Sequence, residues 1–496
     1  VIRIALTTAL VIFTSIGGRA ADSERLRLGV VVVVDQMRPD YLERDSTFSG
    51  GFKRLAGEGS VFTQARHLHV PTETAPGHAA ISTGRAPITH GIVANDWYDR
   101  AAGAKVYCVA DDPYGTGPGR LSGPTLADAM KAQDPRTRVF AVGGKDRSAV
   151  LLGGRRPDLV LWLDRSQGVF TTSSYYRRPA WLDDFNAKLL KSELLTKGGK
   201  KEKVPDEVFF SPALDEATAL LVSELTRREN VGRGPSTDLL MVSFSATDLV
   251  GHRYGIEAPE MTAQLRAIDA ILGRLMREWE TASSHSIALA LSSDHGAIPS
   301  PKDTSGKSLG VKQIMPRDLS AAMEAALQKR WPAADQKWIV FDGFPHLYLN
   351  GELAAKRGLD WLKLRREAAR AIGGVGSIGR VLVTSDIPGL DDSDPLNAVL
   401  RRSVREDRAG DLFVLLRENV LLYEYPAGTT HGTSWSYDAR VPLVFWGRGI
   451  RAAHSEAAAA PLDIAPTLGR LMGARYAAGD GGALRTEIVP VEPAAR

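Results

Sequence analysis

The 496-residue chain has a single cysteine, Cys108. An internal disulfide is therefore excluded, and so is a cysteine-rich zinc site. A transition metal would have to be held by histidines and carboxylates, and ten histidines are present. Charge of one sign is also scarce. The 62 basic and 58 acidic residues leave a formal charge of only +4. That balance excludes nucleic acid as the main specific partner. After the first 20 residues no apolar run is long enough to span a bilayer, which excludes a multi-span membrane protein. With 44% hydrophobic and 24% charged residues, the composition is neither disordered nor collagen-like. The length allows a large buried core.

The N-terminus carries an address. Val1-Ile2-Arg3 precedes an apolar run of about 13 residues, too short to cross a membrane, and Gly17-Gly18-Arg19-Ala20-Ala21 follows. A basic start, an apolar centre and a small-residue exit predict a secretory signal peptide over 1–20. The expected product is periplasmic or secreted, with no stable membrane anchor after cleavage.

Short runs of buried character punctuate the rest: Leu28–Val34, Arg138–Val142, Leu159–Leu163, Leu239–Ser245, Ser286–Leu291 and Val441–Trp446. Continuous apolar strands of this kind belong to sheets covered on both faces, and hence to mainly parallel ones. Helical patterns lie between them, at Asp215–Arg228, Ala258–Thr281 and Leu319–Arg330. The alternation predicts an α/β fold with a doubly wound, mainly parallel sheet. One catalytic unit over 21–496 is expected, with capping insertions near 165–206 and 299–425. Several strands run directly into Asp, His, Lys or Arg. Ligands of open α/β sheets bind beyond the carboxyl ends of strands, so these polar clusters should converge.

The clusters form a chemical inventory. Asp35 ends the valine run, where a carboxylate is costly unless paired or bound to a cation. Thr74 opens Thr74-Ala-Pro-Gly-His78 at an expected helix N-cap, with Gly84 as the stop. A hydroxyl there can act as a nucleophile if a cation lowers its pKa. Asp248 and His252 are spaced i, i+4 and can share a helical face. Asp294-His295-Gly and His431-Gly-Thr add further ligand types. Three Asp and three His suit two Zn²⁺ ions with open positions. Asn95, Lys145 and Arg147 offer the amide, ammonium and guanidinium donors that a transferring phosphoryl group requires.

Taken together, Asp35 after a valine run, Thr74-Ala-Pro-Gly-His, Gly-Ile-Val-Ala-Asn95, Gly-Lys145-Asp-Arg147, Asp248-x-x-Gly-His252, Ser-Asp294-His295-Gly and His431-Gly-Thr resemble the alkaline phosphatase superfamily. It looks specifically like the secreted bacterial members with a threonine nucleophile, relatives of the nucleotide pyrophosphatase/phosphodiesterases. The resemblance implies that Asp248, His252 and His431 hold one zinc, and that Asp35, Asp294, His295 and Thr74 hold the other. It also implies attack by Thr74, a phospho-threonine intermediate, and phosphate-oxygen contacts from Asn95, Lys145 and Arg147. The expected substrates are small-molecule phosphate monoesters. The chain departs from the family pattern at Ala75, where cysteine is common, and at Asp96, where a second asparagine is common.

The alternative within the same fold is a phosphodiesterase or nucleotide pyrophosphatase. A phosphomonoester dianion has three non-bridging oxygens to satisfy, and the Lys145-x-Arg147 turn favours it in this resemblance. Cys108 lies in no Cys-x-Pro-x-Arg setting, which argues against a sulfatase. The other seven histidines are expected to be structural or superficial, with His78 best placed to orient the Thr74 loop.

Overall fold

The computed structural model describes residues 26–477 and 479–488. The expected signal peptide lies outside the described residues. The central sheet has nine strands. From one edge they are Ala453–Ala459, Ser60–Ala65, Leu443–Gly447, Ile287–Ser292, Leu28–Val34, Asp238–Phe244, Val139–Gly143, Leu159–Asp164 and Val169–Thr171. The five strands from Ile287–Ser292 to Leu159–Asp164 run parallel. Leu443–Gly447 and Val169–Thr171 are antiparallel to their neighbours within that block. The fold is thus the expected doubly wound, mainly parallel α/β type.

The valine run explains why the sheet is covered on both sides. Val30, Val32 and Val34 point into one hydrophobic core, and Val31 and Val33 into the other. All five are 0% exposed. Helices Ala213–Arg228 and Pro259–Ala282 pack Leu214, Leu221, Ile268, Leu272 and Trp279 on the first face. Helices Thr74–Thr83, Asp146–Gly153 and Ile464–Leu471 cover the second. β-branched residues suit a pleat buried on both faces.

Three strands of the central sheet, Ser60–Ala65, Ala453–Ala459 and Val169–Thr171, escaped the sequence reading. The second is largely exposed and polar, so it lacks a buried-strand pattern. Residues 299–425 carry a separate antiparallel sheet in the order Ile339–Gly343, His346–Leu349, Leu412–Leu416, Ile378–Val383. It has its own core around Leu319, Trp338, Leu364 and Leu412. Residues 165–206 contribute Val169–Thr171 to the edge of the main sheet and the helix Leu182–Lys191.

Register brings the chemistry together. Val34 pairs with Phe244 and Val33 with Ser292, so these three strands end at one level. Asp35, Ser245 and Ser293 leave that level side by side, and Gly144 follows the next parallel strand. Among the described residues no helix is long and apolar enough to cross a membrane.

The two-sided core predicts an asymmetry. Val32→Ala should cost about 2 kcal/mol, from lost methyl burial plus a residual cavity. Leu220→Ala, at a helix position 39% exposed, should cost under about 0.5 kcal/mol. Denaturant midpoints of the two variants check this.

Candidate active site

The helix Thr74–Thr83 begins with Thr74 itself, and Glu73 is its N-cap. The cap expected at Thr74 is therefore shifted by one residue, because Glu73 has the extended backbone of a cap (φ −131°, ψ 163°). Gly84 ends the helix in the left-handed conformation, as its position suggested. Thr74 is buried at 1% exposure. Gly77 lets this helix approach the Asp294 loop. A Cβ at Gly77 would lie 2.4 Å from the Asp294 carbonyl oxygen, so a larger residue would push the two apart.

His78 fastens the helix from below. Its Nδ1 lies 2.8 Å from the Thr74 carbonyl, and its Nε2 lies 2.8 Å from Ser243 Oγ. A ring nitrogen facing a carbonyl must carry a proton, and the same Nδ1 lies 3.3 Å from Asp294 Oδ2. Asn95 braces the helix from above. Its Oδ1 accepts from Ala75 N at 2.9 Å, and its own N–H donates to Glu73 Oε2 at 2.8 Å. With its oxygen so engaged, the Asn95 amide keeps its NH₂ group for another acceptor. Burial, opposed by the Asn95 N–H, raises the Glu73 carboxyl to about 7.

Beside Thr74 lie three buried carboxylates and three histidines. Asp35 and Asp294 are 0% exposed and Asp248 is 2% exposed. Asp248 and His252 share one face of the helix Ala246–Tyr254, with His252 Nε2 3.1 Å from Asp248 Oδ1. His431 Nε2 lies 3.7 Å from the same oxygen. His295 Nε2 lies 3.4 Å from Asp35 Oδ1 and 3.6 Å from Asp294 Oδ2. The rings of His295 and His431 stack with centroids 3.5 Å apart. Two sets have one ligand atom per residue within 4.8 Å of the others: Asp35, Asp294 and His295, and Asp248, His295 and His431. His295 belongs to both sets. His252 joins the cluster through Asp248.

The three histidines share one orientation. His252 Nδ1 faces Thr429 O at 2.7 Å, His295 Nδ1 faces Gly296 O at 3.0 Å, and His431 Nδ1 faces Thr72 O at 2.7 Å. Each Nδ1 donates to a backbone carbonyl, and each Nε2 is thereby turned toward the carboxylates. Metal-binding histidines are oriented in this way. Burial drives His295 below the usual imidazole range; burial and then the neighbouring His295 drive His431 well below it. Both therefore remain neutral.

Lys145 is the one ammonium in the cluster. Its Nζ lies 2.5 Å from Asp35 Oδ2 and 2.6 Å from Asp248 Oδ2. Three carboxylates against one ammonium leave an excess of two negative charges, and buried charge of this kind requires compensation. Burial and the facing Asp294 raise the Asp35 carboxyl well above its usual range, despite Lys145. Asp35 Oδ1 and His295 Nε2 are buried without a hydrogen-bond partner, which costs roughly 1–3 kcal/mol each. Unpartnered oxygen and nitrogen donors around surplus negative charge fit divalent cations of the zinc type.

Arg147 completes the site from the helix Asp146–Gly153. Its NH2 lies 3.5 Å from Thr74 Oγ1, and its NH1 lies 3.4 Å from Tyr107 OH. Lys145, expected beside phosphate with Arg147, lies against the carboxylates of Asp35 and Asp248 in this arrangement.

Several contributors were not legible in sequence. Gln36 has φ 63°, and its Nε2 donates to Asp248 Oδ1 at 2.7 Å while its backbone N donates to Asp294 Oδ1 at 3.1 Å. Gly251 makes room for it, since a Cβ there would meet Gln36 Oε1 at 1.9 Å. Tyr107 donates to Asp146 Oδ1 at 2.7 Å and so stiffens the Arg147 turn. The glycine of the Asp248-x-x-Gly-His252 spacing was the available signal for Gln36. For Tyr107 only the three-dimensional fold gives one. Of the seven remaining histidines, His67, His69, His78, His90 and His346 are buried, and His285 and His454 are exposed.

A phosphoester-hydrolase fold of the alkaline phosphatase kind is thus defined by the sheet, the carboxylate–histidine cluster and the helix-borne threonine. The chain belongs to the type I phosphodiesterase/nucleotide pyrophosphatase family, whose model matches residues 29–438. It is 29% identical to alkaline phosphatase PhoK of a Sphingomonas species, over 90% of this chain and 88% of that protein. It is 28% identical to alkaline phosphatase PafA of Elizabethkingia meningoseptica, over 98% of each. The solved structure of wild-type PafA superposes with a TM-score of 0.86 at 27% identity, over 94% of this chain and 99% of that one.

The close approach at Gly77 gives a test. Gly77→Ala should destabilise the protein by about 1–3 kcal/mol, as overpacking does, whereas Gly57→Ala, where a Cβ meets open space, should not destabilise it. Thermal midpoints of the two variants check this.

Proposed function

We propose that this protein is a metal-dependent phosphomonoester hydrolase that works through a phospho-threonine at Thr74 and releases inorganic phosphate. The observation that carries the reading is the shared orientation of His252, His295 and His431, whose Nδ1 atoms face backbone carbonyls and whose Nε2 atoms face three buried carboxylates beside Thr74. Asp248, His252 and His431 would hold one Zn²⁺, and Asp35, Asp294, His295 and Thr74 the other. Bound there, the two ions supply Lewis-acid stabilisation of the attacking and departing oxygens and lower the pKa of a hydroxyl or water.

The chain's own residues do the rest. Thr74 Oγ1 gives up its proton and attacks phosphorus, and the bond to the ester oxygen breaks as the Oγ1–P bond forms. Water then displaces Thr74, returning the hydroxyl and freeing phosphate. Arg147 and the NH₂ group of Asn95 bind non-bridging oxygens, where they stabilise charge developing in the transition state. The N-terminus of the helix Thr74–Thr83 adds its positive end. Lys145 contributes a third donor, the second cationic one, on a flexible stem. The relatives named alkaline phosphatases support the monoester reading. The pattern of residues 1–20 supports an exported, periplasmic or secreted enzyme.

Thr74→Ala should lose at least about a thousandfold in p-nitrophenyl phosphate turnover, the order expected for removing a nucleophile, while elemental analysis still finds bound zinc. Near-normal turnover would refute Thr74 as nucleophile. The family description leaves phosphodiester cleavage as the second reading. The native enzyme should prefer p-nitrophenyl phosphate to its bis ester, and Arg147→Ala should reduce monoester hydrolysis more than diester hydrolysis. A diester preference that is unchanged in Arg147→Ala would favour the second reading.

A further inference from the structure

The side chain of His252 is 25% exposed, against 3% for Asp248 and 9% for His431. Those of Asp35, Asp294 and His295 are fully buried. His252 is therefore the candidate ligand whose direction the core does least to fix. Its Nδ1 faces Thr429 O at 2.7 Å. One hydrogen bond sets where that nitrogen points, yet the ring plane could still turn about it. Tyr423 removes this freedom. Its ring centroid lies 5.9 Å from that of His252, with 19° between the planes. Offset, nearly parallel packing of this kind is a favourable arrangement for aromatic rings. The Tyr423 hydroxyl also donates to the His252 carbonyl at 2.5 Å. The tyrosine thus holds one residue twice, by its backbone and by its ring.

Tyr423 is itself anchored away from the ligand cluster. It follows the strand Val420–Leu422, which pairs with Lys312–Ile314. Its N–H donates to Ile314 O at 3.0 Å, and its carbonyl accepts from Gln313 Nε2 at 2.9 Å. Thr429, further along the same segment, donates its N–H to Gly251 O at 3.0 Å and its hydroxyl to Ile298 O. Gly428 lets the segment cross the helix Ala246–Tyr254, because a Cβ there would lie 1.9 Å from His252 O. Both constraints on the His252 ring therefore come from the segment by which the 299–425 insertion returns to the main sheet. We propose that Tyr423 is the positioning residue for His252: it fixes the plane of the imidazole, so that the insertion sets the geometry of one of the two metal sites. The inference rests on the metal-dependent reading above. Removing a group that orients a ligating histidine typically costs about ten- to a hundredfold in metal affinity.

The test measures zinc affinity by stepwise competition with a chelator, on the native protein and on Tyr423→Phe, Tyr423→Leu and Tyr425→Leu. Tyr423 is only partly buried, so neither of its substitutions should unfold the chain. Tyr423→Leu keeps apolar bulk but loses the flat face and the hydroxyl. It should weaken one zinc by about ten- to a hundredfold and leave the other unchanged. Tyr423→Phe keeps the face and should lose less. Tyr425→Leu, at a residue 57% exposed, should change neither. A merely structural role would weaken both sites together, and that result, or two unchanged constants in Tyr423→Leu, would overturn the proposal. A second readout needs no metal. In the metal-free proteins, labelling by diethyl pyrocarbonate, read by peptide mass spectrometry, should rise severalfold at His252 in Tyr423→Leu. It should stay the same at His454, an exposed histidine outside the cluster. Equal labelling of His252 in native protein and Tyr423→Leu would refute the positioning role. If the native protein binds no zinc, the metal-dependent reading fails, and the labelling still decides what Tyr423 does.

Discussion

Three carboxylates are held beyond the ends of buried parallel strands, Asp248 on the helix that follows one of them, with one ammonium to balance them. That surplus of negative charge is the constraint on which the rest of the site depends. Water is excluded from Asp35 and Asp294, so their charge has to be met by fixed partners or by cations. The surrounding structure directs the available groups at it. Backbone carbonyls hold the three imidazoles so that their Nε2 atoms face inward. Gln36 adopts a left-handed backbone and donates to both Asp248 and Asp294. Ser293 Oγ contacts Asp294 Oδ1 and donates to the His295 carbonyl.

The sheet makes this possible by register. Parallel strands bring several loops out at one edge, and a core on each face keeps that edge fixed. The helix Thr74–Thr83 then packs over it, fastened by His78 to Ser243 and braced by Asn95. A nucleophile must be held within a fraction of an ångström of its productive position. Here Thr74 is fixed by hydrogen bonds to its own carbonyl and its neighbour's amide, which leave Oγ1 free to react. Phe344 and Leu416, from the region of the second sheet, line a small cavity beside Glu73.

How much of this the sequence revealed depended on how local the signal was. The valine run, the strand-end aspartates and the i, i+4 pair Asp248–His252 are local patterns, and each led to its observed position. The strand Ala453–Ala459 carries no buried period, and nothing in its residues distinguishes it from a loop. The helix start moved by one residue because Glu73, a poor capping type, takes the cap through tertiary contact with Asn95. Gln36 and Tyr107 act across long sequence separations, so composition and spacing were silent about them. Lys145 was read as a phosphate donor from its motif, but its reach to two carboxylates follows only from the folded distances.

The account turns on Thr74 carrying the phosphoryl group. Its most direct measurement is acid quenching of the zinc-loaded protein during turnover of a phosphomonoester, followed by peptide mass spectrometry. The account predicts a phosphoryl group on the peptide containing Thr74 that disappears on Thr74→Ala. Undiminished turnover with that peptide unmodified under every quench condition, or a phosphoryl group on another residue, would contradict it.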